Sequence, residues 1–541
     1  MDKKAIFKLC KDQGCCDACA VRFLGVKHPN AYENLKKHII QYQDTTSEPT
    51  TATDSTTPVE HSQTLDTVQQ PSENGHSEEN NSEDGPLRKR RRTEACVCCL
   101  GVLEEETWPE CDEMVKEVLD KKGYDCQTFA CALSSPISIL LREKVITLKI
   151  QDAIPDYDPT ALTPLKEAWK WLYGPRLARV AGKAQDSGAV CPLLVTVTME
   201  YHNEAAELEL LKLISPQLFE SRSRQKRRFA VEFTRRSAEQ ALAASADDVR
   251  RAATLLPPAA RARCVSVACC RDPIYIGGRY VKLSRELPQT PWLVGGKRMM
   301  ESSVQEVIFN PLAEILGIPP SQSEHRLKLM SAGREDVDVR CLGDGRPFAV
   351  EVADPRHAPT PEQLRAVCAA VAASGAVRVR SLCVVSKEEL AELKQGEESK
   401  CKTYEALCIK LSHSKFETEK TPSDPVTVTP EDLQRINTFR NTAESHGAVV
   451  AVTQRTPIRV LHRRPLLSRQ REILKVQADA VTGHPQLFTL HVQTSAGTYV
   501  KEWVHGELGR TAPSLGDAIK AKVDILALDV AAVHLDWPKK R

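Results

Sequence analysis

Residues 333–340 read Gly-Arg-Glu-Asp-Val-Asp-Val-Arg, and residues 495–501 read Ser-Ala-Gly-Thr-Tyr-Val-Lys. The first stretch places a carboxylate, Asp336, on a turn preceded by arginine. The second places an aromatic hydroxyl, Tyr499, and an ammonium, Lys501, where a glycine turn enters a predicted helix with an electropositive N-terminus. A nearby ammonium keeps a carboxylate ionised in a water-poor pocket. The two stretches therefore predict two halves of one active site, with Asp336 opposite Lys501.

Both stretches resemble motifs of pseudouridine synthases, in which the catalytic Asp commonly lies in a Gly-Arg-x-Asp turn. Residues 497–501 are similar to the Gly-Thr-Tyr-Ile-Arg segment of the bacterial T-loop synthase, with Lys in place of Arg. Further segments resemble the archaeal and eukaryotic pseudouridine synthase ten family, densely in the second half of the chain and sparsely in the first. They are Arg-Tyr-Val-Lys at 279–282, Leu-Pro-Gln-Thr-Pro-Trp at 287–292, Gly-Arg-Pro-Phe at 345–348, Lys-Thr-Tyr at 402–404, Thr-Pro-Ile-Arg-Val-Leu-His-Arg-Arg at 456–464 and Val-His-Gly at 504–506.

This resemblance implies a tRNA pseudouridine synthase, an isomerase acting on T-arm uridine 54, uridine 55 or both in standard tRNA numbering. The reaction requires one ionised carboxylate and no catalytic cofactor. The resemblance gives that role to Asp336, by attack on the sugar or the base or by abstraction of a sugar proton, and makes Lys501 its basic partner. It implies that Tyr404 stacks on the target base; without the resemblance, a core tyrosine with a satisfied hydroxyl would be the better interpretation. Tyr499 and Leu508 are expected in the base pocket.

Basic residues near these motifs are candidates for holding the displaced RNA backbone. Arg279 and Lys282, with Arg285, are expected on a protruding loop. A second strip comprises Arg459, His462, Arg463, Arg464, Arg469 and Arg471, and Arg334 precedes the catalytic turn. We expect tRNA as the partner, no membrane, and a monomer.

The net charge of the 541-residue chain is +2, but residues 44–87 contain ten acidic residues and no Lys or Arg, which leaves +12 on the remainder. A basic protein of this size suits a polyanionic partner and two to four domains at about 150 residues each. The sequence has 19 cysteines, no Lys/Arg-led apolar stretch at its start and no apolar run of membrane-spanning length. We therefore expect reduced thiols in the cytosol or nucleus.

Residues 43–92 have a composition too polar to form a core, which predicts a disordered acidic insert. The insert ends in Arg-Lys-Arg-Arg-Arg at 88–92, which resembles a nuclear localisation signal and could equally be a solvated basic tail. The first interpretation predicts a protein of nucleus and cytoplasm.

The insert separates two C-x-x-C pairs, Cys16 with Cys19 and Cys96 with Cys99, in segments 1–42 and 93–257. Two such pairs suit tetrahedral zinc, since thiolates at this spacing can reach one metal at about 2.3 Å. The family resemblance also implies a four-cysteine zinc site. Cys15 or Cys98 could replace a neighbour as ligand, and unligated reduced cysteines are the alternative.

Segment 93–257 is also expected to contain a THUMP-like RNA-binding region, with a strand at 193–199 and a helix at 237–244. Between them, residues 222–228 are dense in Arg, close to Phe229 and Phe233. Such a stretch suits phosphate contact and stacking, or else is a solvated loop.

Residues 258–541 are predicted to form the catalytic domain, of α+β class with a central mixed sheet. Capping boxes at Ser302/Gln305 and Thr360/Gln363 predict two helices, the first ending near Pro311 and the second at Gly375. Strands are predicted at 348–352, 377–385 and 488–494.

Two other functional classes compete with this interpretation. A tRNA methylase or thiolase would need a Gly-rich nucleotide-binding turn or a reactive cysteine pair in its catalytic domain, and neither motif is found. An inert zinc-dependent RNA-binding scaffold would have no reason to keep Asp336, Tyr404 and Lys501 together.

Overall fold

The computed structural model describes residues 2–43, 95–186, 191–225, 231–243, 246–441 and 449–539, without the side chains of 397–399. The predicted acidic insert and its basic run lie outside these ranges from residue 44 onward. The chain divides into two compact units: Met1–Lys121 with Thr128–Cys269, and Lys122–Gln127 with Cys270–Arg541. The division falls after Cys269, whereas the sequence placed the start of the catalytic domain at residue 258.

The first unit contains a four-stranded sheet in the order β2-β1-β3-β4 among its described residues, in which β1 is parallel to both β2 and β3. Its strands are β1 (Thr128–Ser134), β2 (Ala184–Gln185), β3 (Leu193–Glu200) and β4 (Arg263–Arg271). Its helices are α1 (Lys3–Asp12), α2 (Asp17–Phe23), α3 (Pro29–Glu33), α4 (Leu35–Ile39), α5 (Trp108–Lys122), α6 (Ser138–Ala153), α7 (Leu165–Ala181), α8 (Glu204–Leu208), α9 (Leu210–Ile214), α10 (Pro216–Arg224), α11 (Arg235–Leu242) and α12 (Ala246–Ala253).

The strand predicted at 193–199 is confirmed as β3, whose alternate side chains from Leu193 to Met199 are buried. The predicted helix at 237–244 is found as α11, which begins two residues earlier because Thr234 and Ser237 form its capping box. Ala244 lies outside the described residues.

The second unit contains β5 (Ile274–Lys282), β6 (Leu293–Val294), β7 (Lys297–Arg298), β8 (Leu327–Ser331), β9 (Arg340–Val352), β10 (Val377–Val385), β11 (Lys402–Lys410), β12 (Val450–Arg455), β13 (Ser468–Ala480), β14 (Leu487–Thr494), β15 (Thr511–Ala512) and β16 (Val523–Val533). Its helices are α13 (Val304–Ile315), α14 (Pro320–Arg326), α15 (Pro361–Ala373), α16 (Lys387–Ser399), α17 (Pro430–Asn437), α18 (Val500–His505) and α19 (Leu515–Ile519).

Among the described residues, ten strands of this unit form one sheet, in the order β10-β5-β9-β16-β11-β14-β13-β12-β15 with β8 beside β9. The β9–β16 pair is parallel and the other pairs are antiparallel. The predicted mixed sheet is therefore confirmed, and the three predicted strands are found as the end of β9, as β10 and as β14.

The register of the central strands brings the sequence motifs together. Cys341 of β9 pairs with Val530 of β16, Val530 pairs with Tyr404 of β11, and Tyr404 pairs with Val492 of β14. The turn containing Asp336 precedes β9, and the glycine turn leading to α18 follows β14. Segments separated by more than a hundred residues thus meet at one end of four adjacent strands.

The capping box predicted for α15 is confirmed at Thr360 and Gln363, and Gly375 follows the helix with φ +68°. The prediction for α13 was wrong by one residue, because Ser303 rather than Ser302 caps the helix by accepting from the Glu306 N–H. That helix also continues through Pro311 to Ile315. No helix within the described ranges is long and apolar enough to cross a membrane.

Candidate active site

Asp336 lies in the turn that connects β8 to β9, and the turn requires glycine at residue 333. Gly333 has φ +90°, a conformation that other residues rarely adopt. A Cβ atom there would also lie 2.8 Å from the Lys402 Nζ. The glycine of the Gly-Arg-x-Asp pattern is therefore a backbone requirement of this turn.

A buried polar network lies beneath the turn. The Glu335 carboxylate accepts from the Tyr280 hydroxyl at 2.8 Å and from the Arg346 Nε at 2.7 Å, and its side chain is fully buried. Arg346 also donates to the Ala332 carbonyl at 2.7 Å, and Gln289 Nε2 donates to the Gly333 carbonyl at 3.1 Å. Burial, and then the Glu335 charge, raise the pKa of Tyr280 well above its ordinary value, which keeps its hydroxyl a donor. The network fixes the backbone on the N-terminal side of Glu335.

Lys282 holds the same turn from another side. Its buried ammonium donates to the carbonyl oxygens of Leu287 at 2.7 Å, Asp336 at 3.1 Å and Val337 at 2.7 Å. Burial lowers the pKa of Lys282 to about 8, although Glu335 and neighbouring carboxylates act in the opposite direction.

The expectation that Arg279, Lys282 and Arg285 form a protruding RNA-binding loop was therefore wrong. Arg279 lies in β5 and donates to backbone carbonyls that include those of Asp344, Gly345 and Leu535. Arg285 donates to the carbonyls of Asp338 and Leu528 and pairs with Asp529 at 2.7 Å. These cations bond to backbone carbonyl groups of the protein itself and do not form a protruding loop.

The Asp336 carboxylate has a different principal partner from the one predicted. Its Oδ2 lies 2.8 Å from the Arg459 Nη1 and 3.7 Å from the Lys501 Nζ. Lys501 instead contacts both Asp338 oxygens, at 2.6 and 2.9 Å. Arg459 is held by the buried Glu502 at 2.6 Å, and although burial lowers its pKa, the bonds to Glu502 and Asp336 raise it overall. The sequence identified both cations but made Lys501, rather than Arg459, the principal partner of Asp336. In the structure the side chain of Asp338 competes for Lys501.

A cavity of about 540 Å³ borders Asp336 and contains Tyr404, Tyr499 and Lys501 in its wall. No described residue hydrogen-bonds to the Tyr404 hydroxyl, and burial raises the pKa of that hydroxyl to about 12, so it is protonated at neutral pH. The backbone of Tyr499 is fixed by the Gln454 side chain amide, at 2.9 and 3.0 Å. Leu508 does not line this cavity: it is 96 % exposed and has φ +55°, so its predicted place in the base pocket was wrong.

Four arginines of the cavity wall have side chains that make no hydrogen bond or ion pair with any described residue. They are Arg334, Arg463, Arg464 and Arg469. Arg471 differs, since it donates to the carbonyls of Gly497 at 3.1 Å and Gln470 at 3.1 Å. The basic strip thus contains structural arginines, Arg459 and Arg471, and arginines available to an anionic ligand.

The four predicted cysteines converge in the first unit. The sulfur atoms of Cys16, Cys19, Cys96 and Cys99 lie within 4.8 Å of one another, and the Cys16–Cys99 separation is 3.8 Å. Zinc bound tetrahedrally with bonds of about 2.3 Å requires sulfur atoms roughly 3.8 Å apart, so the donor set and its spacing fit this metal. Cys15 and Cys98 are close by but are not part of the four-sulfur group.

Hydrogen bonds to the sulfur atoms add to this fit. Cys96 Sγ accepts from the N–H groups of Cys16 at 3.2 Å and Cys99 at 3.5 Å, and the buried Arg22 donates to Cys19 Sγ at 3.8 Å. Arg22 also bonds to Glu143 and to the Thr163 carbonyl at 2.9 Å.

The Arg-rich stretch at 222–228 is described only as far as residue 225. Arg222 is tied to the carbonyls of Val231 and Glu232 at 3.1 Å, whereas the Arg224 side chain is largely exposed. Phe233 packs against Phe219 with ring centroids 5.3 Å apart and is therefore less available for stacking on RNA than we expected. Phe229 lies outside the described residues.

Sequence reasoning missed the network of Glu335, Arg346, Tyr280 and Gln289, and the role of Glu502. Tyr280, Gln289 and Arg346 do lie in the family-like segments quoted above, but neither periodicity nor composition assigns them a contact. Only the sheet register brings β5, β9 and the Asp336 turn together.

The whole chain is similar to known proteins. A family model described as "Pus10, C-terminal" matches residues 275–534, and one described as "Eukaryotic Pus10, N-terminal" matches residues 96–269. The tRNA pseudouridine synthase Pus10 of Xenopus laevis is 32% identical over 545 residues, covering 99% of this chain and 98% of that protein. The Homo sapiens protein of the same name is 30% identical, with coverage of 99% and 98%.

Among solved structures, the chain aligns with a Cbf5-Nop10-Gar1 complex at 15% identity and a TM-score of 0.23, over 47% of this chain and 48% of that one.

Proposed function

This chain belongs to the Pus10 family of tRNA pseudouridine synthases, and from that premise we propose that it isomerises uridine to pseudouridine in the T-arm of tRNA, using the Asp336 carboxylate. The observation that carries the assignment is the meeting of Asp336, Tyr404 and Lys501 at one cavity, although they lie on separate elements of the sheet. Uridine 54, uridine 55 or both are the proposed targets.

The chemistry detaches uracil by breaking its C–N glycosidic bond and reattaches it through a C–C bond, with no net gain or loss of atoms. The Asp336 carboxylate attacks the sugar or the base, or removes a sugar proton. Its Oδ2 faces Arg459 and Lys501, and no described residue donates a hydrogen bond to Oδ1, which leaves that oxygen for the substrate.

Tyr404 is proposed to stack on the target base, and its protonated hydroxyl can donate to a uracil oxygen or nitrogen. Tyr499 is proposed to line the same pocket. The free arginines Arg334, Arg463 and Arg464 are proposed to hold phosphates on either side of the extruded nucleotide.

The four-cysteine cluster is proposed to bind one structural zinc ion, and no catalytic cofactor is proposed. The ion lies in the first unit and the cavity in the second, so zinc is expected to stabilise the first unit without taking part in the reaction. Deletion of residues 44–87 should leave the zinc content unchanged.

The first unit is proposed to contain the THUMP-like region that binds tRNA, with Arg224 as an exposed cation in the described part of its Arg-rich stretch. We further propose that the protein is a monomer, which light scattering can test. Residues 88–92 are proposed to direct part of the protein to the nucleus, so replacing them with alanines should leave a fluorescent fusion in the cytoplasm.

The proposed function is tested by incubating the protein with an unmodified tRNA transcript and mapping pseudouridine along it. Pseudouridine at a T-arm uridine is the expected result. Binding of several tRNAs without any pseudouridine would instead indicate an inert RNA-binding scaffold.

A further inference from the structure

A second cavity, of about 340 Å³, borders the same catalytic turn. It shares Arg334, Asp336, Arg459 and Arg463 with the first cavity, but Tyr404, Tyr499 and Lys501 are absent from its wall. Its volume lies in the range of roughly 300–1,000 Å³ typical of ligand sites. Two cavities that meet at one carboxylate can hold two groups that are close neighbours in the ligand.

Trp292 is the distinguishing residue of the second cavity. It immediately precedes the hairpin of β6 and β7, whose turn consists of Gly295 and Gly296 with φ +57° and +79°. The indole is 44 % exposed and makes no ring or cation–π contact with another described residue. Its carbonyl, at 2.9 Å from the Met299 N–H, secures the hairpin independently of the side chain.

The charges around this indole favour an anionic ligand. Arg334 and Arg463 line the cavity, and neither side chain has a hydrogen-bond acceptor among the described residues. The three carboxylates of the wall are already paired with cations: Glu335 with Arg346, Asp336 with Arg459 and Asp338 with Lys501. Burial and then the proximity of Arg463 lower the pKa of Arg334, although Asp336 and Glu335 act in the opposite direction. His462 adds a further donor. An aromatic face beside unpaired arginines is the combination that binds single-stranded nucleotides.

We propose that the second cavity binds the nucleotide next to the target uridine in the RNA chain, with its base stacked on Trp292 and its phosphate between Arg334 and Arg463. This inference rests on the proposed function, because the target uridine must occupy the first cavity. The shared wall at Asp336 makes the occupant an adjacent nucleotide. Entry of this base would leave two consecutive nucleotides unstacked from the RNA, both held on the enzyme.

The test combines substitutions of Trp292 in the protein with removal of single bases from the tRNA. Equilibrium binding is measured for the wild type, Trp292→Ala and Trp292→Phe, with unmodified tRNA and with tRNAs that carry one abasic nucleotide at each position flanking the target. Base–aromatic stacking contributes about 1–3 kcal/mol, so Trp292→Ala should weaken binding roughly 5- to 150-fold. Trp292→Phe should recover most of the loss. Leu293→Ala, on the same hairpin and 58 % exposed but outside the cavity wall, is the matched control and should bind like the wild type.

At one flanking position, removal of the base should weaken wild-type binding but cause no further loss in Trp292→Ala. Additive losses at every flanking position, or equal losses in Leu293→Ala and Trp292→Ala, would overturn the proposal. Pseudouridine formation by the wild type is scored separately. A protein that shows the coupling without making pseudouridine would refute the proposed function but retain the nucleotide site, whereas a protein that makes pseudouridine without the coupling would refute only the site.

Discussion

Replacing Glu335 with Gln should damage both stability and catalysis, because Glu335 joins the buried network to the catalytic turn. The substitution keeps the size of the side chain but removes the only carboxylate that pairs with Arg346 among the described residues. The side chains of the pair are 0 % and 1 % exposed, so the guanidinium would be left charged and uncompensated. Breaking a buried pair in this way costs about 3–5 kcal/mol.

Thermal unfolding gives the first measurement. A loss of about 1 kcal/mol lowers the midpoint by roughly 2–4 °C in a domain of 150–250 residues, so the transition of the second unit should fall by at least several degrees. Displacement of Asp336 by a fraction of an ångström should also lower the single-turnover rate by on the order of 10- to 100-fold at saturating tRNA.

The matched variants are Arg346→Gln and the double variant Glu335→Gln, Arg346→Gln. Because the double variant buries no unpaired charge, its loss of stability should be clearly smaller than the sum of the two single losses. Strict additivity, or a Glu335→Gln protein with unchanged stability and rate, would refute the account of this network.

Three further predictions concern separate features. Burial lowers the pKa of Lys282 to about 8 in the folded protein, whereas the pKa of lysine in an unfolded chain is roughly 10.4. Between these two pH values the unfolded state binds more protons than the folded state. The free energy of unfolding should therefore rise with pH in this window, by up to about 1.4 kcal/mol per pH unit. Lys282→Met should lack this rise in a pH series of thermal unfolding, and identical pH profiles would contradict the assignment. Elemental analysis should find about one zinc per chain. The double variant Cys16→Ser, Cys96→Ser should lose this zinc, and the double variant Cys15→Ser, Cys98→Ser should keep it. The reverse pattern would mean that the ligands are misassigned. The double variant Arg463→Ala, Arg464→Ala should weaken tRNA binding. It should also reduce the slope of the logarithm of the binding constant against the logarithm of the salt concentration by roughly 1.4–1.8, at about 0.7–0.9 for each of the two lost phosphate contacts. The control Arg365→Ala, at an exposed site on α15, should leave the slope unchanged. Equal slopes in all three proteins would show that these arginines do not contact phosphate.

The sequence predicted the elements that depend on local patterns. The alternation of Phe488, Leu490 and Val492 gave β14, and the Thr360 box gave α15. Two C-x-x-C pairs gave a four-sulfur cluster because thiolates at this spacing face the same point. The Gly-Arg-x-Asp turn and the Gly-Thr-Tyr-Val-Lys turn were correctly placed at one cavity.

Predictions that depend on competition between partners were less successful. Lys501 was assigned to Asp336, but Asp338, two residues further along the same turn, takes its hydrogen bonds. Arg279 and Lys282 were expected on a protruding loop that contacts RNA, but both donate to backbone carbonyl groups that the sheet brings close to them. Leu508 was expected to line the base pocket, but it lies in a segment with left-handed backbone conformation and is exposed. Such choices depend on the three-dimensional register of β5, β9 and β16, which local sequence does not encode.

The identity of the catalytic carboxylate is tested most directly by comparing Asp336→Asn with Asp338→Asn. Each substitution removes one negative charge from the same turn, and each of the two carboxylates is an ion-pair partner of Lys501. Only Asp336 borders the larger cavity. The measurement is single-turnover formation of pseudouridine in an unmodified tRNA transcript, with tRNA binding measured in parallel. Asp336→Asn should bind tRNA and form no detectable pseudouridine, while Asp338→Asn should retain measurable activity. Pseudouridine formation by Asp336→Asn at a rate comparable to the wild type, or its complete loss in a folded Asp338→Asn protein, would contradict the assignment.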